Sequence, residues 1–256
     1  MLTEAGKGVF LWNKMSKTIT QLFNRQTLLS QYSNGITKVN DTSFLIATDS
    51  EIAYYNLNTK VLRLIPITNE NGKPQRLFLD VKKIKNTYWV ACYGSGIYIL
   101  NANFKVIKIL STENGLSNNS IYRMIEDKFN NVWVTTNFGL NKINSLNFNI
   151  KAYFVNDGLH NNAFEEFSAN SYDDIIVVGG PNGFTKISPE RLFDDNKPLP
   201  CIFENIKLKR LKQKIVANPG FHSFSNYTYS LHHEFKPDLW ETTTIEASRC
   251  KAVVLC

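Results

Sequence analysis

The chain has 256 residues, 43% hydrophobic and 20% charged, the balance of a soluble globular protein rather than of a disordered segment. No apolar run reaches the roughly 18–20 residues of a spanning helix, and the opening "MLTEAGKGVF" lacks the basic-then-apolar layout of a secretory signal. The net charge of +7 is spread along the sequence, and 17 Phe, 11 Tyr and 4 Trp favour strands, so neither nucleic-acid binding nor a membrane segment is expected.

Taken in chain order, residues 5–22 read as a pair of strands, "GKGVFLWN" and "KTITQLF". Fuller units follow at about 33–66, 77–110 and 120–154, and a last one at about 164–188 lacks its final strand. The four later units share one phrase: "FLIATDSEIAYYN", "WVACYGSGIYILN", "VWVTTNFGLNKIN" and "IIVVGGPNGFTKIS". An apolar strand ends in a small or hydroxylated residue and turns tightly, and a second strand stops at Asn or Ser. The unit at 120–154 shows the complete set: strand A over 120–127, B over 132–136, C over 139–144 and D over 148–154. Its A–B and C–D connections are rich in Asn and Asp, which cap turns with their own side chains and tolerate positive φ. Gly96, Gly139 and Gly183 fit a B–C turn in left-handed backbone. Trp89 and Trp133 stand at the head of strand B, where a large ring packs between neighbouring units.

Two markers measure the period. The residue that opens strand C is Gly8, Glu51, Gly96, Gly139 and Gly183 in turn, and the residue that ends it is Asn13, Asn56, Asn101, Asn144 and Ser188. Both series step by 43, 45, 43 and 44 residues. Four short strands repeated at this spacing are the signature of β-propeller blades. The expected fold is therefore all-β: a partial β-propeller over residues 1–192, with three complete four-stranded blades and two partial ones. An open arc leaves unpaired strand edges, so completion by remaining blades or by a homodimer partner is expected.

After "PERLFDDNKPLP" leaves the arc, residues 193–256 form a second region. Its basic run "KLKRLKQK" (residues 207–214) alternates apolar and cationic side chains as a strand with one wet face does. Cys92, Cys201, Cys250 and Cys256 show no CxxC and no Cys/His ligand spacing, and Cys92 reads as a small buried thiol. His232, His233 and Glu234 are neighbours on a strand whose side chains diverge, so no metal site is expected. "GGPNGF" joins two strands and opens no helix, which argues against a phosphate loop.

The stretch "ENGLSNNSIYRMIEDKFNNVWVTTNFGL" (residues 113–140) resembles the two-component-regulator propeller repeat, with its Gly-Leu approach, Asp-to-Asn turn, Trp-Val-x-Thr strand and Gly-Leu exit. Residues 156–192 resemble the closing repeat of that family, and "PLPCIFENIKLKRLKQKIV" resembles the start of the immunoglobulin-like three-Y domain that follows such propellers, here an incomplete β-sandwich segment. The resemblance implies the periplasmic sensor region of a membrane-bound hybrid histidine kinase, often one controlling polysaccharide-degradation genes. The kinase itself would lie elsewhere in a parent protein, so this chain is expected to be non-catalytic and to need no cofactor. Three departures follow: the sequence starts within a blade, it carries no membrane helix or kinase, and "WETTTIEASRCKAVVLC" does not continue the sandwich pattern. A truncated or frame-shifted gene copy would give this picture.

Strand directions assign the candidate site. The D-to-A connections and the B–C turns emerge on one face, around the mouth of the central channel, the usual concave place for a ligand. The candidates there are Tyr93, Asn118, Asn119, Asn137, Phe138, His160, Asn161, Asn162 and Glu165. Aromatic faces with amide hydrogen-bonders suit an oligosaccharide. The Asn pairs after Gly115-Leu116 and Gly158-Leu159 also read as pins for the approach to strand A. The catalytic reading finds no partner set: Glu126 and Asp127 are adjacent on one strand and point to opposite faces, and Asp127 and Asp173-Asp174 read as turn caps. A ligand-sensing propeller fragment is therefore favoured, with a protein-interaction scaffold as the alternative and a carbohydrate-active enzyme as the weakest reading.

Overall fold

The structure is a computed structural model that describes residues 2–4, 8–23, 32–192, 207–210 and 243–246. The chain divides into two compact units, Met1–Phe193 and Asp194–Cys256. In the first, strands β1 (Leu2–Glu4), β2 (Gly8–Asn13) and β3 (Thr18–Phe23) form a first antiparallel sheet. The second sheet holds β4 (Ser33–Lys38), β5 (Ser43–Thr48), β6 (Ile52–Asn56) and β7 (Leu62–Ile65). The third holds β8 (Phe78–Ile84), β9 (Thr87–Cys92), β10 (Gly96–Leu100) and β11 (Val106–Leu110). The fourth holds β12 (Ile121–Glu126), β13 (Asn131–Thr136), β14 (Leu140–Asn144) and β15 (Ile150–Tyr153), and the fifth β16 (Ala169–Tyr172), β17 (Ile175–Gly180) and β18 (Gly183–Ile187). These are the three complete and two partial blades read from the sequence. One correction applies: the first blade holds three strands rather than a C–D pair, because Leu2–Glu4 pairs antiparallel with Gly8–Phe10.

The first strands of successive sheets pack on one another, β4 against β8, β8 against β12 and β12 against β16, so the sheets fan out from an inner wall. Each core cluster lies between two neighbouring sheets. Tyr88, Val90 and Cys92 of β9 face the second sheet, while Trp89 and Ala91 of the same strand face the fourth. Strands buried on both faces must be apolar without alternation, which is why these runs are continuous in the sequence. Val9, Ile46, Ala53 and Tyr55 fill the first interface, and Trp133, Tyr153, Phe164 and Ile176 lie in the last.

The repeated Asn is a turn cap. The side-chain oxygens of Asn13, Asn56, Asn101 and Asn144 each accept the amide N–H two residues on, at 2.9 Å in every case. The chain then passes through left-handed backbone at Lys17, Lys60, Phe104 and Phe148. The two phenylalanines staple neighbouring sheets. Phe104 lies 5.6 Å from Tyr54 with Arg63 5.4 Å from its centroid, and Phe148 lies 6.0 Å from Trp89 with Lys108 5.0 Å away. Such cation–ring contacts contribute about 0.5–1 kcal/mol each at exposed sites. Asp127 is the turn cap the sequence suggests: one oxygen accepts Phe129 and Asn131 N–H at 2.8 and 2.9 Å, and the other accepts the Trp133 indole at 2.8 Å.

Inner strands carry a bulge at one repeated place, before Gly35, Asp80 and Arg123. Those residues meet across three sheets. Asp80 is 1% exposed; its carboxylate accepts Val81 N–H at 2.9 Å and Met124 N–H at 3.0 Å, and lies 3.3 Å from the Arg123 guanidinium. Arg123 also donates to Asn34 O at 3.0 Å. A Cβ on Gly35 would stand 2.8 Å from the Asp80 carboxylate and 3.0 Å from its backbone, so only glycine admits the approach. Burial pushes the Asp80 carboxyl above the ordinary carboxylate range, against the opposing pull of Lys82, Arg123 and the two amides.

In the second unit, β19 (Lys207–Arg210) pairs antiparallel with β20 (Thr243–Glu246). The strand expected in the basic run is thus present, and the tail that reads as departing from a sandwich supplies its partner. Residues 211–214, Cys201, Cys250, Cys256, His232, His233 and Glu234 lie outside the described residues.

Asp80→Ala leaves Arg123 and two amides without their shared acceptor and is expected to lower the unfolding free energy by about 3–5 kcal/mol. The urea midpoint checks it, and a loss below about 1 kcal/mol would deny the bridge its role.

Candidate functional site at the channel mouth

At the ends of β9, β12 and β13, the mouth face brings three side chains together. The Tyr93 ring, 43% exposed, stacks on the Tyr122 ring at 6.2 Å and 28°. Tyr122 is only 7% exposed, and its hydroxyl donates to Asn137 Oδ1 at 3.2 Å. Burial first, then Tyr93, Glu166 and Glu165, raise the Tyr122 phenol above its ordinary value, so it remains a neutral donor. Glu165 and Glu166 are exposed beside this platform. Below them, the Arg123 guanidinium lies 4.5 Å from the centroid of Phe167, a half-exposed ring in left-handed backbone. An exposed aromatic face, an amide and two carboxylates can together stack on and hydrogen-bond a polyhydroxylated ring.

The remaining sequence candidates are placed otherwise. Phe138 is 50% exposed and packs on Phe154 at 5.5 Å, forming a separate aromatic pair. Asn118 and Asn161 cap their own turns, accepting Ser120 and Ala163 N–H at 2.7 and 3.1 Å. Asn119 and Asn162 fold the D-to-A connection back on itself, accepting Thr112 and Val155 N–H at 2.8 and 2.7 Å. Their backbone carbonyls accept Gly96 and Gly139 N–H from the preceding sheet's B–C turn. That seam explains the glycines: a Cβ on Gly139 would meet Phe154 and Ser117 at 2.8 Å, and the φ values of Gly96 and Gly139 are 82° and 90°. His160 Nδ1 sits 2.8 Å from Thr185 Oγ1, and its ring meets Phe164 edge-on, which makes it a packing group beside Gly180 and Gly183.

Tyr122, Glu166 and Phe167 belong to this mouth and are absent from the sequence candidates. Aligning the repeats would have found Tyr122, because it precedes Arg123 in the bulge column that the blades share, whereas Glu166 and Phe167 lie in the connection before β16, outside that column. Among the described residues the mouth face exposes Glu70, Glu113, Asp157, Glu165 and Glu166 against Lys73 and Arg76, an acidic balance.

Asn162→Ala frees a backbone amide and is expected to cost about 1 kcal/mol of stability, whereas the exposed Glu165→Ala is expected to cost less than about half of that. Thermal unfolding of the two variants separates pins from site residues, and equal losses would contradict the distinction.

The sequence matches the Two component regulator propeller family over residues 115–138. Over 218 residues it is 25% identical to histidine kinase P4 of Formosa agariphila, covering 80% of this chain and 16% of the kinase. Two crystal structures from B. thetaiotaomicron share the fold. The extracellular domain of BT3049, assigned to a hybrid two component system, superposes with a TM-score of 0.68 at 19% identity, over 83% of this chain and 29% of that domain. That of BT4673, assigned likewise, gives 0.56 at 20% identity, over 72% and 28%. Residues 115–138 therefore match the two-component-regulator propeller repeat, and the arc has the fold of the extracellular domains of BT3049 and BT4673.

Proposed function

We propose that the arc is the ligand-sensing part of a two-component regulatory sensor and that its ligand is an oligosaccharide held at the channel mouth. The observation that carries this reading is the exposed Tyr93 ring seated on the buried Tyr122, beside Asn137 and the Glu165 and Glu166 carboxylates. A rigid aromatic platform stacks on a sugar's C–H face at little cost in conformational entropy, and the amide and carboxylates take its hydroxyls. In this reading the mouth faces the periplasm, the chain binds without catalysing, and a kinase acts from another part of the parent protein. The adjacent Glu126 and Asp127 support binding over hydrolysis, since both Asp127 oxygens are engaged in a turn.

A second reading, a scaffold completed by a partner chain or a second copy, rests on the fifth sheet. Among the described residues β18 pairs with β17 alone, and Tyr172 and Phe184 are 78% and 67% exposed. Concentration-dependent assembly without sugar in sedimentation would favour it, and a strictly monomeric species would remove it.

Calorimetric titration of the full chain with a panel of oligosaccharides is expected to give saturable binding that Tyr93→Ala weakens roughly tenfold. Unchanged affinity in both Tyr93→Ala and Phe138→Ala would exclude the mouth as the site.

A further inference from the structure

The face opposite the mouth carries the A–B and C–D turns, and its charge has the other sign. Lys17, Lys60 and Lys105 each stand four residues after the capping Asn of their sheet, in "NKMSK", "NLNTK" and "NANFK". Lys17 and Lys60 hold the left-handed position of their turns, and Lys105 follows that position, Phe104, in a turn one residue shorter, so three successive C–D turns each present a lysine. Lys14 lies in the first of these turns and Lys85 in the turn between β8 and β9. All five are exposed. The ion pairs on this face involve other lysines: Lys38 pairs with Asp41 at 2.6 Å, and Lys128 bridges Asp174 at 2.7 Å and Glu190 at 3.5 Å. The acids Asp127, Asp173, Asp174 and Glu190 belong to the turns of the fourth and fifth sheets, and Asp41 of the second is paired with Lys38, so among the described residues the basic part of the face is the one formed by the first three sheets.

An apolar tip stands within the patch. Met15 occupies the position two residues after Asn13, its N–H capped by that side chain, and it is 96% exposed between Lys14 and Lys17. Leu146, the same position in the fourth sheet, is 63% exposed. A neighbouring blade would cover the flanks of a sheet, but these residues sit at the tips of the β2–β3 and β14–β15 turns.

We propose that this face docks on an anionic phospholipid surface. Exposed lysines spread over the turns of three successive sheets form a broad basic surface, which matches a bilayer better than a single polymer chain. A flexible thioether at the tip gains by entering the interfacial region, whereas a polyanionic glycan offers it nothing. Each lysine near such a surface strengthens binding several-fold, and the attraction fades with salt.

Co-sedimentation of the full chain with vesicles of equal parts phosphatidylglycerol and phosphatidylcholine tests this. Binding is expected at low salt, absent on pure phosphatidylcholine and lost at about 0.5 M salt. The triple variant Lys17→Gln, Lys60→Gln, Lys105→Gln is expected to bind on the order of a hundredfold more weakly while unfolding at the same temperature. Met15→Ser is expected to weaken binding a few-fold with its salt dependence retained. Equal binding to both vesicle types, no binding to the anionic ones, or a triple variant that binds like the parent chain would overturn the proposal. Capture by soluble dextran sulfate without vesicle binding would overturn it too and reassign the face to an anionic polymer.

Discussion

Three inner strands meet at one carboxylate. Asp80 is enclosed by the protein, yet it accepts an amide from its own strand and another from the next blade, and it faces that blade's arginine. The preceding blade contributes by having nothing at the same place, since only Gly35 leaves room. A buried charge is tolerated when every lone pair is engaged and is costly when one partner is lost. The lock therefore fixes the spacing of three sheets that would otherwise touch through interchangeable apolar faces. It also breaks the repeat on purpose. Identical blades would set like charges side by side, whereas Gly, Asp and Arg in one column hold a single order.

From this lock the geometry of the mouth follows. Arg123 is drawn inward by Asp80 and Asn34, and its guanidinium supports Phe167 from below. Tyr122, the residue before it, occupies the bulge and turns its hydroxyl to Asn137. Tyr93 from the neighbouring sheet can then stack on a ring that is already fixed. The aromatic and amide part of the candidate site is thus built on strand ends and a bulge, with the exposed carboxylates of Glu165 and Glu166 beside it.

Much of the fold was legible because the marker residues work on the backbone. Asn at the end of strand C caps a turn, and glycine at its start passes beneath the next blade's connection, so both recur with the blade. The second blade reads poorly because Leu45 and Glu51 stand in place of the Trp and the glycine. Its turn survives through Thr48, whose hydroxyl donates to Glu51 O and accepts two amides, as Thr136 donates to Gly139 O and accepts Phe138 N–H. The short strand at Leu2–Glu4 was missed because three residues carry too little pattern to register. The site was legible only in part. Tyr93, Phe138 and Asn137 stand out as polar or aromatic residues in tight turns, and the Asn pairs were seen to be pins as much as contacts. Tyr122 and Asp80 lie inside the inner strands "IYRMIE" and "FLDVKKI", and their meaning depends on a partner one repeat away, which reading along a single blade does not reveal.

The central claim, that the Asp80–Arg123 contact couples adjacent blades, is tested most directly by a double-mutant cycle. Asp80→Ala, Arg123→Ala and the double variant would be unfolded in urea beside the parent chain. Coupling of about 1–3 kcal/mol between the two positions is expected for partners in one buried network. Losses that add within about 0.5 kcal/mol would mean that the two side chains act independently and that apolar packing alone orders the blades.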